Sequence, residues 1–227
     1  MINFAIILAG GKSKRMKRIE KIFFKIKGKP LIWYTLKIFE NHPQIHKIVL
    51  VSRKSNFNKV FNLIKKYKIH KIAKVVKEGR TRQDSAFNGL KYLEELGAKP
   101  KDLVLFHNGC NPLVSALEIS KVIRAAKIYG AALVGQPCKD TLKRVNKNRL
   151  VSATIDRSNI YLAQTPQVIE YSLAKKGFKK AFSKNFQGTD DISLIERLGK
   201  KIKMVPCSYQ NLKVTIKEDL EIIKDLL

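Results

Sequence analysis

The sequence predicts an α/β protein with a mostly parallel, Rossmann-like sheet, helices on both faces of that sheet and a projecting β-hairpin arm. Three observations lead to this fold class. Short apolar segments alternate with segments of helical periodicity, the first apolar segment ends in adjacent glycines, and one polar stretch in the second half has the pattern of a hairpin. Strands and helices that alternate at this spacing indicate parallel strands joined by right-handed crossovers.

Apolar runs and helical spacing predict the elements of the first two thirds of the chain. For example, Leu31, Tyr34 and Ile38 fall at i, i+3 and i+7 after a Gly-Lys-Pro turn, which indicates a helix. Ligands of such sheets bind at the carboxyl ends of the strands. The predicted strands span residues 3–8, 47–52, 72–77, 103–107 and 131–136, and the predicted helices span 31–39, 56–67, 83–96 and 116–129.

The pattern changes between residues 138 and 157. Two polar, extended pieces, 141–145 and 150–155, flank Asn146-Lys147-Asn148, which is a hairpin signal. An isolated hairpin has little core of its own, so we expect it to pack on another surface, plausibly a second copy of the chain. Helices at 171–182 and 190–198, a strand at 202–205 and a helix from about Lys217 complete the prediction.

Composition limits the class of protein. A chain of 227 residues with 44% hydrophobic content can bury one sizeable core, so we expect one principal domain over 1–227. No apolar run approaches the roughly 20 residues of a membrane span. The three cysteines, Cys110, Cys138 and Cys207, lack metal-ligand spacing and a pairing pattern. We therefore expect a soluble, cytoplasmic protein.

The net charge admits two explanations. Lys and Arg number 46 against 18 Asp and Glu, a formal charge of +28, which suggests polyanionic partners such as nucleic acid or phosphorylated metabolites. The basic residues are, however, spread through every predicted helix and loop, without an arginine-rich tail or a basic stripe interleaved with aromatics. Compositional bias explains this spread equally well, so we do not expect a nucleic-acid partner.

A glycine-bearing, cationic loop, residues 8–16, follows the first predicted strand. Its glycines, Gly10 and Gly11, let backbone N–H groups approach phosphate oxygens, and its Lys and Arg side chains neutralise phosphate charge. The loop matches neither a Walker loop nor a dinucleotide fingerprint. Its chemistry suits a triphosphate, and the alternative is a plain glycine turn followed by a solvated basic loop.

At this loop the sequence resembles nucleotidyltransferases that carry Ala-x-Gly-x-x-x-Arg-Met, then a lysine, here Lys21, and then Gly-Lys-Pro-Leu, here residues 28–31. Further stretches narrow the resemblance to 2-C-methyl-D-erythritol 4-phosphate cytidylyltransferase and its relative, ribitol-5-phosphate cytidylyltransferase. They follow the family's order over nearly the whole chain. These stretches are Gly79-Arg80-Thr81-Arg82-Gln83-Asp84-Ser85 with Asn88-Gly89-Leu90, Asp140-Thr141-Leu142-Lys143 with Asp156-Arg157, Gln164-Thr165-Pro166-Gln167, and Thr189-Asp190 with Lys213-Val214-Thr215.

The resemblance implies a CTP-binding fold of the nucleotide-diphospho-sugar transferase type, whose arm, here 138–157, joins two subunits and reaches the neighbour's active site. It also implies Mg²⁺ as cofactor and a small phosphorylated polyol as acceptor. Arg15, Lys21 and Lys213 would be catalytic. The nucleotide would lie against Ala9, Gly10, Gly11, Gly79 and Ser85, and the acceptor phosphate against Thr141, Arg157, Thr165, Thr189 and Lys213.

Several of these residues also have simpler explanations. Ser85 suits the first turn of a helix, a role compatible with ligand binding. Lys21 suits a solvated surface position, and Asp156 beside Arg157 suits a local salt bridge.

The chain departs from the family pattern at two places. After the fourth strand the family usually has His-Asp-Ala-Ala-Arg-Pro, whereas residues 107–112 are His-Asn-Gly-Cys-Asn-Pro. The candidate metal ligand is therefore Asn108, whose amide oxygen can ligate Mg²⁺ but contributes no charge, so we expect lower metal affinity. Glu20 and Ile22 also flank Lys21 where Pro and Gln are usual.

Three functions are compatible with this pattern. The first is transfer of CMP from CTP to 2-C-methyl-D-erythritol 4-phosphate, a step of isoprenoid precursor biosynthesis, with release of pyrophosphate. The second is another nucleotidyl transfer on the same scaffold, with ribitol 5-phosphate or a sugar phosphate as acceptor. The third is a catalytically impaired nucleotide- or nucleic-acid-binding protein, which Asn108 and the +28 charge suggest.

Overall fold

A central seven-stranded sheet organises the chain. The structure is a computed structural model that describes residues 1–11, 16 and 20–227. The strands are β1 (Asn3–Ala9), β4 (Lys47–Ser52), β5 (Ile72–Lys77), β6 (Leu103–Asn108), β7 (Ala131–Pro137), β10 (Tyr161–Glu170) and β11 (Lys203–Pro206). Their spatial order is β11-β7-β10-β6-β1-β4-β5.

Six of these strands run in one direction. Strand β1 pairs in parallel with β4 and β6, β4 with β5, and β7 with β11, whereas β10 runs antiparallel to both of its neighbours. The strands β1, β4, β5 and β6 therefore end at one common edge of the sheet. That edge is where the loops after β1, β5 and β6 gather.

Helices cover both faces of the sheet, because successive side chains of a strand point to opposite faces. On β1, Ala5 and Ile7 pack with the helices of one face, and Phe4 and Ile6 pack with those of the other. The first set is α1 (Leu31–Asn41), α2 (Phe57–Lys66) and α4 (Ala116–Tyr129), and the second is α3 (Arg82–Glu95), α5 (Tyr171–Ser183) and α6 (Ser193–Glu196).

Two smaller features lie outside the sheet and the helices that cover it. The C-terminal helix α7 (Glu218–Leu226) packs in a separate apolar cluster that includes Met16 and Val214. Two short strands, β2 (Lys25–Ile26) and β3 (Lys29–Pro30), pair ahead of α1. Within the part of the chain that the structure describes, no helix has the length and apolar character needed to cross a membrane.

The predicted fold class is confirmed, and so is the hairpin. Strands β8 (Leu142–Val145) and β9 (Val151–Ile155) pair antiparallel within the predicted arm. Most of their side chains are exposed, and Val145, Leu150 and Val151 are among the exposed apolar side chains of the described residues.

The prediction missed strand β10. Its sequence contains Pro166 among polar residues, a pattern that normally argues against a central strand. The strand tolerates this proline because its pairing with β7 shifts register between Ala163 and Gln167, so Pro166 lies in the irregular segment, after a cis Thr165–Pro166 peptide bond.

The predicted helix at 190–198 was too long, since the structure has only α6. Backbone N–H groups of Asp191 and Ile192 donate to Gln167 Oε1 on β10, at 3.0 and 3.1 Å. Residues just ahead of the helix thus use their N–H groups to bind the sheet, and the helix begins only at Ser193, whose N–H donates to Asp190 Oδ1.

Candidate active site

The turn after β1 lies in contact with the turns after β5 and β6. A methyl group on Gly10 would meet the Cβ of Glu78 at 2.6 Å, so this glycine allows the two turns to approach. On the other side, the Gly109 N–H donates to the Leu8 carbonyl at 2.9 Å, and Ala9 lies against Gly109. The predicted triphosphate loop therefore begins in the middle of the common edge. Arg15 and its neighbours 12–14 and 17–19 lie outside the described residues.

Gly79 and Ser85 form one local unit beside this turn. The Gly79 N–H donates to Ser85 Oγ at 3.0 Å, and the Ser85 hydroxyl donates to the Thr81 carbonyl at 2.8 Å. A Cβ on Gly79 would fall 2.2 Å from that of Asp84, so only glycine fits there. Thr81, not Ser85, caps helix α3, in a reciprocal capping box with Asp84. Ser85 thus lies in the first turn of the helix, as expected, while bonding the loop that precedes it.

Lys21 is fastened to the C-terminal segment that contains Lys213. The Lys21 ammonium donates to the Val214 carbonyl at 2.8 Å, across 193 positions of sequence. The Val214 N–H in turn donates to the Cys110 carbonyl at 2.9 Å, in the loop after β6. Half-buried Lys21 is therefore not simply a solvated lysine, and its segment, the loop after β6 and the segment of Lys213 meet at one place.

Asn108, at the end of β6, contacts Thr165 on β10. Its backbone N–H and its Nδ2 both donate to Thr165 Oγ1 at 3.3 Å, and Nδ2 also donates to Asn111 Oδ1 at 3.2 Å. Because Thr165 Oγ1 accepts from two donors, its own hydroxyl proton remains to donate to another group. Two predicted site residues, Asn108 and Thr165, are thus direct neighbours.

His107, one residue earlier, is completely buried and packs against the ring of Phe39 at 4.8 Å between centroids. Burial lowers the pKa of His107 to about 3, and a hydrogen bond from Nε2 to the Asn111 carbonyl at 3.1 Å only partly opposes this shift. A neutral imidazole at that depth shapes the loop after β6 and does not supply a cation to the site.

Thr189 lies on an exposed turn that is tied to the same strand as Thr165. The adjacent Asp190 accepts from Gln167 Nε2 at 2.7 Å, and Gln167 lies two residues after Thr165 on β10. Arg82, at the start of α3, pairs with buried Asp191 at 2.7 Å. Burial raises the pKa of the Asp191 carboxyl, and the Arg82 guanidinium opposes that shift. Thr189 is therefore held on a firmly anchored segment.

Thr141 and Arg157 lie at the base of the arm. They flank the strand pair Leu142–Ile155, and both are exposed. The simpler alternative, a local salt bridge between Asp156 and Arg157, does not form: Asp156 accepts from the backbone and hydroxyl of Ser158, both at 2.9 Å, and Arg157 donates to the Lys139 carbonyl. Among the described residues, no hydrogen bond joins Thr141 or Arg157 to Thr165.

The sequence prediction missed a buried set of amides behind Thr165. Asn111 Nδ2 donates to Gln164 Oε1 at 3.4 Å and to Asn211 Oδ1 at 3.3 Å, and Asn211 Nδ2 donates to the Thr165 carbonyl at 3.0 Å. Asn111 and Asn211 are both fully buried. Isolated amides have no local pattern, so only their distance from each other in the fold identifies them.

The site offers little charge to a metal ion. Mg²⁺ is usually held by one or two carboxylates together with substrate phosphates. Among the described residues, no group of three or more His, Cys, Asp or Glu side chains is placed to hold a metal. With Nδ2 of Asn108 bonded to Thr165 and Asn111, its Oδ1 is the amide atom left for a cation. These residues fit an ion that arrives bound to a triphosphate.

Comparisons with known proteins show the family. The family model described as 2-C-methyl-D-erythritol 4-phosphate cytidylyltransferase matches residues 3–227. The enzyme of that name from Caldanaerobacter subterraneus is 38% identical over 218 residues, which cover 95% of this chain and 94% of the relative. The one from Syntrophus aciditrophicus is 40% identical over 220 residues, which cover 95% of this chain and 92% of the relative.

Solved structures show the same likeness over the full fold. The 2-C-methyl-D-erythritol 4-phosphate cytidylyltransferase of Francisella tularensis superposes with a TM-score of 0.83 at 31% identity, covering 100% of both chains. The 4-diphosphocytidyl-2C-methyl-D-erythritol synthase of Anaerococcus prevotii gives a TM-score of 0.85 at 29% identity, covering 99% of this chain and 95% of the other. Motif order, edge geometry and near-complete coverage agree, and the chain therefore belongs to the 2-C-methyl-D-erythritol 4-phosphate cytidylyltransferase family.

Proposed function

We propose that this enzyme transfers CMP from CTP to 2-C-methyl-D-erythritol 4-phosphate, with release of pyrophosphate, in isoprenoid precursor biosynthesis. The observation that carries the proposal is the contact of Lys21 with Val214 at 2.8 Å, beside the loop after β6. It joins the segments of both candidate catalytic lysines to the strand edge where the glycine turn begins. Membership of the cytidylyltransferase family supports the same reaction.

In this proposal the triphosphate lies over the turn after β1. Backbone N–H groups of Gly10 and Gly11 donate to its oxygens, and no atom of the described residues lies within 4 Å of the position that a Cβ on Gly11 would take. Ala9 lines the same turn, and Arg15 adds positive charge. The cytosine lies against Gly79 and Ser85, on the side of β5.

The chemical step is an in-line displacement. An oxygen of the acceptor phosphate forms a bond to the α-phosphorus of CTP as the bond from that phosphorus to the β-phosphate bridging oxygen breaks, and pyrophosphate leaves. The acceptor phosphate is already ionised near neutral pH, so no strong general base is needed. Lys21 and Arg15 stabilise the negative charge on the non-bridging oxygens.

Mg²⁺ is proposed to enter with CTP, since Asn108 provides an uncharged oxygen. When bound, the ion would neutralise negative charge on the triphosphate. The Asn108 amide oxygen would hold it from the β6 side.

The acceptor phosphate is proposed to bind between Thr165, Thr189 and Lys213, with Thr141 and Arg157 supplied by the arm of a second subunit. Hydroxyls and cations together suit a phosphate dianion. The arm's exposed apolar side chains support a homodimer, because burying them against a partner removes apolar surface from water. We also propose a cytoplasmic location, which is consistent with three free cysteines.

The experiment is a pyrophosphate-release assay with Mg²⁺, each of the four nucleoside triphosphates, and three acceptors: 2-C-methyl-D-erythritol 4-phosphate, ribitol 5-phosphate and a sugar phosphate. Release with CTP and the first acceptor only is expected. Release with another acceptor would instead support the second function, nucleotidyl transfer to ribitol 5-phosphate or a sugar phosphate. Absence of release with every pair, while CTP still binds, would favour the impaired nucleotide-binding protein that Asn108 and the +28 charge suggest.

The arm is tested separately by sedimentation and by mixing variants. A Thr141→Ala, Arg157→Ala chain and a Lys21→Ala chain should each be impaired alone. Mixed, they should regain part of the activity, because one hybrid site then combines intact residues from both chains. A monomer in sedimentation, or no recovery on mixing, would contradict the shared site.

A further inference from the structure

Four side-chain amides and one threonine form a continuous cluster at the end of β6, of which Asn111, Thr165 and Asn211 are buried and the other two members are half-buried. We call it the amide cluster: Asn108, Asn111, Gln164, Thr165 and Asn211. Its members come from three segments that are far apart in sequence, namely the end of β6 with its loop, the irregular part of β10, and the C-terminal segment.

Asn211 is the member that joins the segments. Its Nδ2 donates to the Thr165 carbonyl at 3.0 Å, while its Oδ1 accepts from Asn111 Nδ2 at 3.3 Å. Its side chain is fully buried, so both bonds are made without competition from water. An amide is required here, because one side chain must both donate and accept.

The position of Asn211 in sequence connects this cluster to the lysines. Lys213 follows Asn211 by two residues, and Val214 comes next, ahead of α7. The Val214 N–H donates to the Cys110 carbonyl, and the Val214 carbonyl accepts from Lys21. The backbone from Asn211 to Val214 is thus fixed at both ends. Only the short stretch that includes Lys213 lies between these two attachments.

We propose that Asn211 is a positioning residue, which sets the distance between Thr165 and Lys213 and so shapes the acceptor-phosphate site. This inference rests on the proposed function, since both residues are assigned there to the acceptor phosphate. Asn211 itself touches no reacting atom. Loss of its bond to Thr165 should weaken use of the acceptor while leaving the CTP turn after β1 intact.

The proposal can be tested by replacing the side-chain NH2 group of Asn211 with an oxygen atom. In Asn211→Asp, the ionised carboxylate would face the Thr165 carbonyl with an acceptor instead of a donor. Burial raises the pKa of such a carboxyl, so at low pH the protonated form donates the missing hydrogen bond. The variant should therefore use the acceptor nearly as well as wild type at low pH and less well at high pH.

The test compares wild-type enzyme, Asn211→Asp and the control Gln210→Glu in the pyrophosphate-release assay, from about pH 6 to about pH 9. Gln210 is an exposed neighbour, so the control adds the same charge outside the cluster. Across this range, kcat/KM for the acceptor should fall at least about tenfold more in Asn211→Asp than in wild type, as loss of one buried hydrogen bond predicts. The KM for CTP should stay within about twofold in both variants.

A pH profile of Asn211→Asp parallel to that of wild type, or an equal loss for CTP and acceptor, would overturn the positioning role. If Asn211→Asp does not fold, Asn111→Ser removes the donor to Asn211 Oδ1 with a smaller change. An acceptor-specific loss in that variant supports the proposal, and no loss or a uniform loss overturns it. A wild-type enzyme without activity would instead reject the proposed function, and this inference with it.

Discussion

Two adjacent glycines in the turn after β1 allow a direct test of where the triphosphate binds. The changes are Gly10→Ala and Gly11→Ala, which add the same methyl group at neighbouring positions. At Gly10 the new Cβ would lie 2.6 Å from the Cβ of Glu78, whereas at Gly11 no described heavy atom lies within 4 Å. The first methyl group therefore collides with protein, and the second occupies the space proposed for phosphate.

The magnitudes follow from these distances. Carbon atoms in contact lie about 3.5–4.0 Å apart, so Gly10→Ala must displace the turn or Glu78 by about 1 Å. Overpacking of this kind costs about 1–3 kcal/mol, which lowers the Tm of a chain of this size by about 2–12 °C. Gly11→Ala should change stability by less than about 1 kcal/mol, because a methyl group there meets no atom of the described residues within 4 Å.

The assay measures Tm by circular dichroism and the KM for CTP by pyrophosphate release. Gly11→Ala should keep its Tm but raise the KM for CTP at least about tenfold, equivalent to about 1.4 kcal/mol of lost binding. Gly10→Ala should lower both Tm and activity. The separation of the two effects is the diagnostic result.

Two results would refute the reasoning. A wild-type KM for CTP in Gly11→Ala would show that the triphosphate does not pass over this turn. An unchanged Tm in Gly10→Ala would show that the contact between the turn and Glu78 does not constrain the fold.

Lys21→Ala should lower turnover at least about 100-fold, as loss of a transition-state contact does, whereas the exposed Lys25→Ala should not; an unchanged rate would remove Lys21 from the mechanism. Asn108→Asp should lower the Mg²⁺ concentration for half-maximal activity, and indifference would show that the ion is held elsewhere. Burial lowers the pKa of His107 to about 3. A histidine in the unfolded chain has a pKa of about 6.5, so the unfolded state takes up a proton at a higher pH than the folded state does. The stability of the fold therefore decreases as the pH falls below this value. The free energy of unfolding measured in urea should therefore fall by about 2 kcal/mol between about pH 6.5 and about pH 5 through His107. His107→Gln should make this fall with pH shallower, whereas His70→Gln, a change at an exposed histidine, should not alter it. Equal pH dependence in the two variants would contradict the burial argument.

Local pattern was sufficient wherever a residue's role depends on its near neighbours in sequence. Apolar runs predicted the strands β1, β4, β6 and β7, because burial on both faces of a parallel sheet requires continuous apolar segments. The edge strand β5 was also predicted from its apolar residues, although only Val75 of its side chains is buried. The glycine turn after β1 and the hairpin of the arm were also predicted from residues that are neighbours in sequence. Strand β10 was missed because its proline is tolerated only at a register shift, which depends on pairing with β7.

The sequence by itself determined the fold class, the family and the glycine turn, since these follow from periodicity and motif order along the chain. Tertiary structure alone decided that Lys21 reaches Val214 and that Asn211 lies behind Thr165. The reason is physical: a hydrogen bond between residues 193 positions apart leaves no trace in local spacing, because each partner is chosen for a neighbour that only folding provides.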